Sequence, residues 1–586
     1  MILQALNNYY HRRCNDGDPA QHLPAFGLEQ KEIPFIIEIT TEGELVQILD
    51  TRTTQGKKKV AQVFRVPIGV KKTSGVAANL LWDNLEYVLG IDTKGKPERV
   101  VEQHADFCAR IMELPQVTRD DPGIAAVLCF LERQNLDQLQ KCPSWNDAFE
   151  SNAVMSFRLS GDLNLVCQRS AVNNAVLGTP VNSETEIAMC LVTGQQAPTE
   201  RLHASIKGVW GAQSSGANIV SFNARAFESY GKTERQGENA PVSQAVAFAY
   251  TTALNHLLRK DSSQRLQIGD ASTVFWAEKG HELENIFGEI FKDDPDANTR
   301  AVSALFSSIN TGKLAGPDGD TRFHVLGLAP NAARISIRFY HALPLRELSA
   351  CIVQHFKDVE LIRGPNDPQY PSLFRLLAAV AVQNKADNIP PNLGGAVVDA
   401  IFAGINARYP SLWLNTAVGR CRAEQNVTYL RAAGIKACLN RQIRRFAISS
   451  IQSVPEKEFL PMLDLSNISP AYRLGRLFSV LEKIQEESSP GLNATIRDRF
   501  YGAASSTPVA VFTTLLRLKN AHLKKLSIGR AASFEKLLGE ILSLVVDFPK
   551  HLPLPDQGRF ALGYYHQRQD FFTKKPDSHS SSAQGK

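Results

Sequence analysis

The chain has 586 residues, 43% of them hydrophobic and 21% charged, with a formal net charge of +6 at pH 7. That length and balance suit a large globular protein with more than one core. They exclude a disordered polyelectrolyte, and no apolar run approaches the ~20 residues that a membrane-spanning helix needs.

The start, MILQALNNYYHRRC, places its charges after its apolar residues and offers no small-residue cleavage site, so it does not read as a signal peptide. Residues Pro34 to Thr53 alternate apolar and polar side chains about a Glu42-Gly43 turn, which predicts a β-hairpin. A basic run, Gly56 to Lys59, precedes a strand-like stretch from Val60 to Val66. Lys71, Lys72, Thr73 and Ser74 then form a polar loop ahead of a helix expected to begin near Asn79. Two amines and two hydroxyls before a helix suit phosphate contacts, although GVKKTSG lacks the spacing of a Walker A loop. A solvated turn is the competing reading.

Two amphipathic helices follow, around Arg99–Leu114 and from Asp121-Pro122 onward, the second opening with an N-cap and a proline. The runs VMSFRLSG, LNLVCQ and EIAMCLVTG predict short strands, separated by turn residues, in the region from about 150 to about 230. The stretch GVWGAQSSGANIVSFNARAFESYG, Gly208 to Gly231, brings together Gly208, Gly211, Gly216, Gln213, Ser214, Ser215 and Asn218. Glycines let a backbone approach a ligand, and side-chain amides carry the paired donors and acceptors that read base edges. None of these groups is a nucleophile with a base at hand, so the segment reads as recognition apparatus; the plainer reading is a surface loop.

From Val242 the chain turns helical, RISIRFYHA at Arg334–Ala342 alternates as a strand, and nearly everything beyond has helical period. Arg441, Arg444 and Arg445 share one turn of a helix, which suits a nucleic acid, an acidic partner or an ordinary solvated face. After a loop at Ser453–Pro461 come four or five helices with starts at Thr507-Pro508 and Ser533. From Met462 onward lysine and arginine exceed aspartate and glutamate by six, the whole surplus of the chain. There Arg473 and Arg476 on one helix, and Arg517, Lys519, Lys524 and Lys525 on another, suit rows that track a single-stranded backbone. The polar tail DSHSSSAQGK reads as disordered.

The fold class expected is α+β: a mixed N-terminal region with hairpins, basic loops and strands (1–120), a central α+β recognition region (121–345), a helical region (346–455) and a basic helical bundle (462–586). The nine cysteines are scattered without CxxC pairs and read as reduced thiols of a cytoplasmic protein. The 13 histidines form no HExxH or HxH pair, so neither a metal site nor a cofactor is expected.

The run from Cys190 to Gly231, its continuation NAPVSQAVAFAYTTALNHLL, and the strings MILQALNNYYHRR, VKKTSGVAANLLWDNLEYVLGID, GDASTVFWAE and FHVLGLAPNAARISIRFY together resemble the large subunit of the type I-C CRISPR Cascade complex. They occur in family order along nearly the whole chain. The resemblance implies a non-catalytic subunit that recognises the protospacer-adjacent motif in duplex DNA, promotes R-loop formation and supports recruitment of the helicase–nuclease. The implied partners are crRNA, target double-stranded DNA with its displaced single strand, and the other Cascade subunits, with no membrane. Motif recognition is then expected on Lys71–Ser74 and on Gln213, Ser214, Ser215 and Asn218. The resemblance also implies a small subunit translated from within the gene, for which Met462 is the candidate start. The alternatives are a stand-alone metal-dependent nuclease, which no carboxylate or histidine pattern supports, and a purely structural scaffold of the complex.

Overall fold

The computed structural model describes residues 1–16, 22–55, 58–70, 75–133, 136–178, 186–222, 225–232, 237–291, 295–310, 314, 316–449 and 456–573. The fold is α+β, with strands and hairpins toward the N-terminus and helices through the middle and the end. The backbone divides into two compact units, one formed by Leu3–Ala204 with Phe222–Ala253, the other by Ser205–Ser221 with Leu254–Lys586.

The first unit is built on a four-stranded sheet of β1 (Phe35–Ile39), β2 (Leu45–Asp50), β3 (Trp82–Asn84) and β4 (Val154–Leu159), in the order β2-β1-β4-β3. Strand β1, FIIEI, is buried along its whole length, because it pairs antiparallel with β2 and parallel with β4. The predicted hairpin is this β1–β2 pair. Its turn closes through Gly43 N–H to Thr40 O at 3.1 Å. Gly43 sits at φ +82°, and a Cβ there would lie 2.8 Å from the Ala126 carbonyl, so only glycine fits.

Helices α1 (Pro97–Met112) and α2 (Pro122–Arg133) contribute Phe107, Ile111, Ile124, Val127 and Phe130 to the core of this unit. The Asp121 carboxylate accepts from Gly123 N–H at 2.9 Å, satisfying an open donor of the first turn of α2. Two sequence expectations shift here. Residues near Asn79 do not start a helix: β3 comes first, and the helix Leu85–Leu89 follows, capped by Asn84 and stopped by left-handed Gly90. Val166–Gln168 is a 3-10 turn rather than a strand, drawn tight by the Gln168 side chain accepting from Leu165 N–H at 2.9 Å.

The second unit carries an antiparallel meander of β5 (Arg265–Ile268), β6 (Ala271–Ala277), β7 (Arg322–Asn331) and β8 (Arg334–Pro344), paired in chain order. Helix α3 (Gln244–Leu257) ends just before it. Helices α4 (Leu345–Val359), α5 (Ser411–Ala423) and α6 (Tyr429–Ser449) follow, then α7 (Pro470–Ser488), α8 (Ile496–Ser506), α9 (Val509–Leu523), α10 (Ile528–Leu542) and α11 (Leu554–Asp570). One continuous apolar core runs from Leu266 on β5 to Tyr565 on α11. Helix α10 begins at Ile528 rather than Ser533, because Ser527 accepts from Arg530 N–H and caps it.

Helices α7 and α11 cross backbone against backbone. A Cβ on Gly475 would run into the Phe560 carbonyl oxygen, and one on Gly563 into that of Tyr472. The two glycines therefore set the closest approach inside the terminal bundle.

Candidate nucleic-acid interface

Residues 205–221 form a hairpin-like loop rooted on the second unit's sheet. Its two sides join where Ile206 and Ala217 exchange backbone hydrogen bonds at 2.8 and 2.9 Å. At the base, Asn255 near the end of α3 clamps one strand twice, accepting from Lys207 N–H at 2.8 Å and donating to Ser205 O at 3.2 Å. On the other side Asn218 O accepts from Ile335 N–H at 2.9 Å, which ties the loop to β8 as a short parallel bridge. Midway, Trp210 N–H donates to Ser272 Oγ on β6 at 2.9 Å. The backbone of the loop is thus fixed from three directions.

Glycine makes this path available. Gly208 and Gly216 both have positive φ, and a Cβ would lie 2.7 Å from Leu258 O at the first and 2.9 Å from Ile206 O at the second. The tip is a tight turn in which Gly216 N–H donates to Gln213 O at 2.9 Å. That turn holds Gln213, Ser214 and Ser215 in solvent, while Asn218 at the root is half-buried. Trp210 is 59% exposed beside them, a large apolar ring left in water on a rigid loop. An amide able to make two hydrogen bonds, two hydroxyls and an indole ring are the chemistry of base reading and base stacking. Trp210 is an addition to the residues expected from sequence, where a tryptophan amid glycines reads equally well as core.

The sheet beneath carries an aromatic ladder. The His324 ring on β7 stacks on Trp276 of β6 and on Tyr340 of β8, with centroids 5.0 and 6.0 Å away, and its Nδ1 lies 3.0 Å from the Tyr340 hydroxyl. Burial, with Arg322 nearby, pushes the His324 imidazole down to about 4, so the ladder is neutral at physiological pH.

A family model for CRISPR-associated protein (Cas_Csd1) matches residues 6–572. The chain belongs to that family. Among curated proteins, nothing matches it.

The basic residues of this CRISPR-associated chain sort into two groups. Arg473 and Arg476 do not form the outward row expected of them, for both are buried. Arg473 donates to the Glu540 and Ile541 carbonyls at the end of α10, each at 3.2 Å, and to Asn467 O at 2.9 Å. Arg476 grips the Glu540 carboxylate with both terminal nitrogens, at 3.2 and 2.8 Å, and Gln567 with Nε at 3.1 Å. Glu540 lies 67 residues from Arg473 and 64 from Arg476, beyond any local rule of pairing. Lys519 is likewise turned aside, 2.7 Å from Glu535.

Arg517, Lys524 and Lys525 remain exposed on and just after α9, with no salt-bridge partner among the described residues. Arg517 and Lys524 are seven residues apart, two helical turns on one face. These three are the part of the expected row that can meet a polyanion.

The loop Lys71–Ser74 lies outside the described residues. Its feet are pinned: Gly69 N–H donates to Glu29 at 2.9 Å, Val70 N–H to Asn79 at 2.8 Å, and Asn79 N–H to Asp83 at 2.9 Å. Among the described residues no three His, Cys, Asp or Glu side chains are gathered to hold a metal ion, and no helix is long and apolar enough to cross a membrane.

Proposed function

We propose that this chain is the large, non-catalytic subunit of a type I-C Cascade complex. In this reading it recognises the protospacer-adjacent motif in duplex DNA, starts strand separation toward the R-loop and offers a surface to the helicase–nuclease. Base pairing with crRNA supplies target sequence specificity, so the protein needs only to read a short motif and hold the backbone. The observation that carries this reading is the rigid loop tip with Trp210, Gln213, Ser214 and Ser215 in solvent. It offers recognition groups without a nucleophile and base among them. Arg517, Lys524 and Lys525 would add sequence-independent affinity for a displaced or target strand.

The test uses the complex reconstituted with crRNA and the other subunits, with either the wild-type chain or a Lys71→Ala/Lys72→Ala variant. Target duplex binding should weaken by roughly 1–3 kcal/mol and the salt slope should flatten. Unchanged binding removes Lys71–Ser74 from the interface. The chain alone, incubated with DNA or RNA and a divalent metal, should cleave neither; cleavage would overturn the non-catalytic assignment.

A further inference from the structure

The first unit contains a pocket of about 270 Å³ beside Gly75, lined at its mouth by Lys94, Lys96 and Arg99 and deeper by Glu86 and Gln103. Sequence builds it locally. The Asp92 carboxylate accepts from Lys94 N–H at 2.9 Å and is held below the usual carboxylate range by the N–H groups of Lys94 and Lys96. That turn delivers Lys94 and Lys96 to the start of α1, a 16-residue helix whose first turn has no side-chain cap. Pro97 opens the helix and brings no N–H, so the open donors there are those of Glu98 and Arg99.

The charges inside do not cancel. Glu86 is 5% exposed, and its oxygens are already occupied by the Thr93 hydroxyl at 2.7 Å and by Lys94 Nζ at 3.5 Å. Lys96 and Arg99 are exposed at the mouth and have no salt-bridge partner among the described residues. The neighbouring acids of the helix, Glu98 and Glu102, do not line the pocket. Two cations and the positive end of a helix therefore face one small opening.

Gln103, one turn further along α1, gives the independent sign of a ligand. It is 7% exposed, lines the pocket, and its Oε1 has no hydrogen-bond partner among the described residues. A buried acceptor without a donor is uncommon enough to need a cause. Anion-seeking groups at the mouth and an unmet acceptor inside describe a ligand with a phosphate at one end and a hydroxyl or amino group at the other. The volume falls just below the usual range of ligand pockets and suits a single small unit.

We infer that this pocket holds one nucleotide of a nucleic-acid strand, its phosphate on Lys96, Arg99 and the first turn of α1, its sugar hydroxyl or base amine on Gln103. The inference rests on the nucleic-acid-binding reading and adds a site to it. The full-length chain is titrated into fluorescein-labelled single-stranded RNA and DNA of one sequence over a range of salt. A Lys96→Ala/Arg99→Ala variant should bind about tenfold more weakly with a salt slope lower by about 1–2. Gln103→Leu should lose affinity about fivefold with an unchanged slope, because it removes no charge. If Gln103→Leu affects RNA more than DNA, the partner of Gln103 is the 2′-hydroxyl; an equal effect assigns the base. Wild-type binding with both variants equally tight overturns the pocket and leaves the broader reading standing. No binding by the wild-type chain at low salt overturns both. Should Gln103→Leu fail to fold, the exposed double substitution still decides.

Discussion

Arg441 and Asp358, 83 residues apart in sequence, meet at 2.8 Å with both side chains buried. Arg441 also donates to the carbonyls of Ala400 at 2.7 Å and Ala407 at 3.1 Å, and its guanidinium lies 4.1 Å from the Tyr409 ring centroid. Arg444 takes the second Asp358 oxygen at 2.9 Å and reaches Glu458 as well. The arginine cluster on α6 is thus chiefly an internal clamp between α4 and α6. Asp358→Ala should cost about 3–5 kcal/mol of unfolding free energy, since it leaves the buried Arg441 guanidinium without its carboxylate, while Arg444 keeps Glu458. Denaturant unfolding checks it; a loss under about 1 kcal/mol contradicts the clamp.

The exposed residues after it behave oppositely. Arg517→Ala/Lys524→Ala/Lys525→Ala should change stability by no more than about 0.5 kcal/mol, as surface substitutions usually do. It should nonetheless weaken single-stranded DNA binding and lower the salt slope, by about 0.7 for every phosphate that is no longer neutralised. Lys519→Ala should do less, because Lys519 already faces Glu535 at 2.7 Å. A salt titration by fluorescence anisotropy separates the two, and an unaltered slope in the triple variant excludes α9 from the strand path.

What the sequence made legible follows from the range of the interactions. The β1–β2 hairpin, the strand β8 and the long helices were readable because periodicity and turn residues are local. The recognition loop was readable as a run of glycines and amides, yet its clamps at Asn255 and Ile335 come from distant parts of the chain. Arg473 and Arg476 misled because charge patterning counts neighbours, whereas Glu540 arrives from another helix. Lys96, Arg99 and Gln103 gave no signal: a helix start with ordinary charges becomes a pocket only once Glu86 and Tyr87 stand opposite.

Stability should fall on mild acidification. Burial depresses His203 and His324 to about 4, and His355 and His566 to about 3, against about 6.5 when unfolded. Between those values the unfolded chain binds protons that the folded chain refuses, so stability is present above pH 6.5 and is lost as pH falls toward 4. Each histidine can contribute up to about 1.4 kcal/mol per pH unit. The thermal midpoint should therefore drop clearly from pH 7 to pH 5; a flat profile contradicts neutral burial of these rings.

Met462 is 59% exposed and precedes α7, so a product started there would carry α7 to α11 uncut. Changing its codon to leucine should leave the full-length chain and abolish a shorter C-terminal product seen on immunoblots. Such a product would expose the α11 face where Gly558 packs near Leu414, Ile435 and Leu439, and should accordingly associate with other subunits. Absence of any shorter species from the unmodified gene rejects the internal start.

The most direct measurement is motif discrimination by the reconstituted complex. Affinities are compared for one target duplex with an intact and a mutated protospacer-adjacent motif, using the wild-type chain, Gln213→Ala and Asn218→Ala. Removing an amide that reads the motif should reduce discrimination by roughly 1–3 kcal/mol while non-specific binding changes little. If both variants keep the wild-type ratio, the loop at Trp210–Ser215 is a packing or subunit-contact element and motif reading lies elsewhere in the complex.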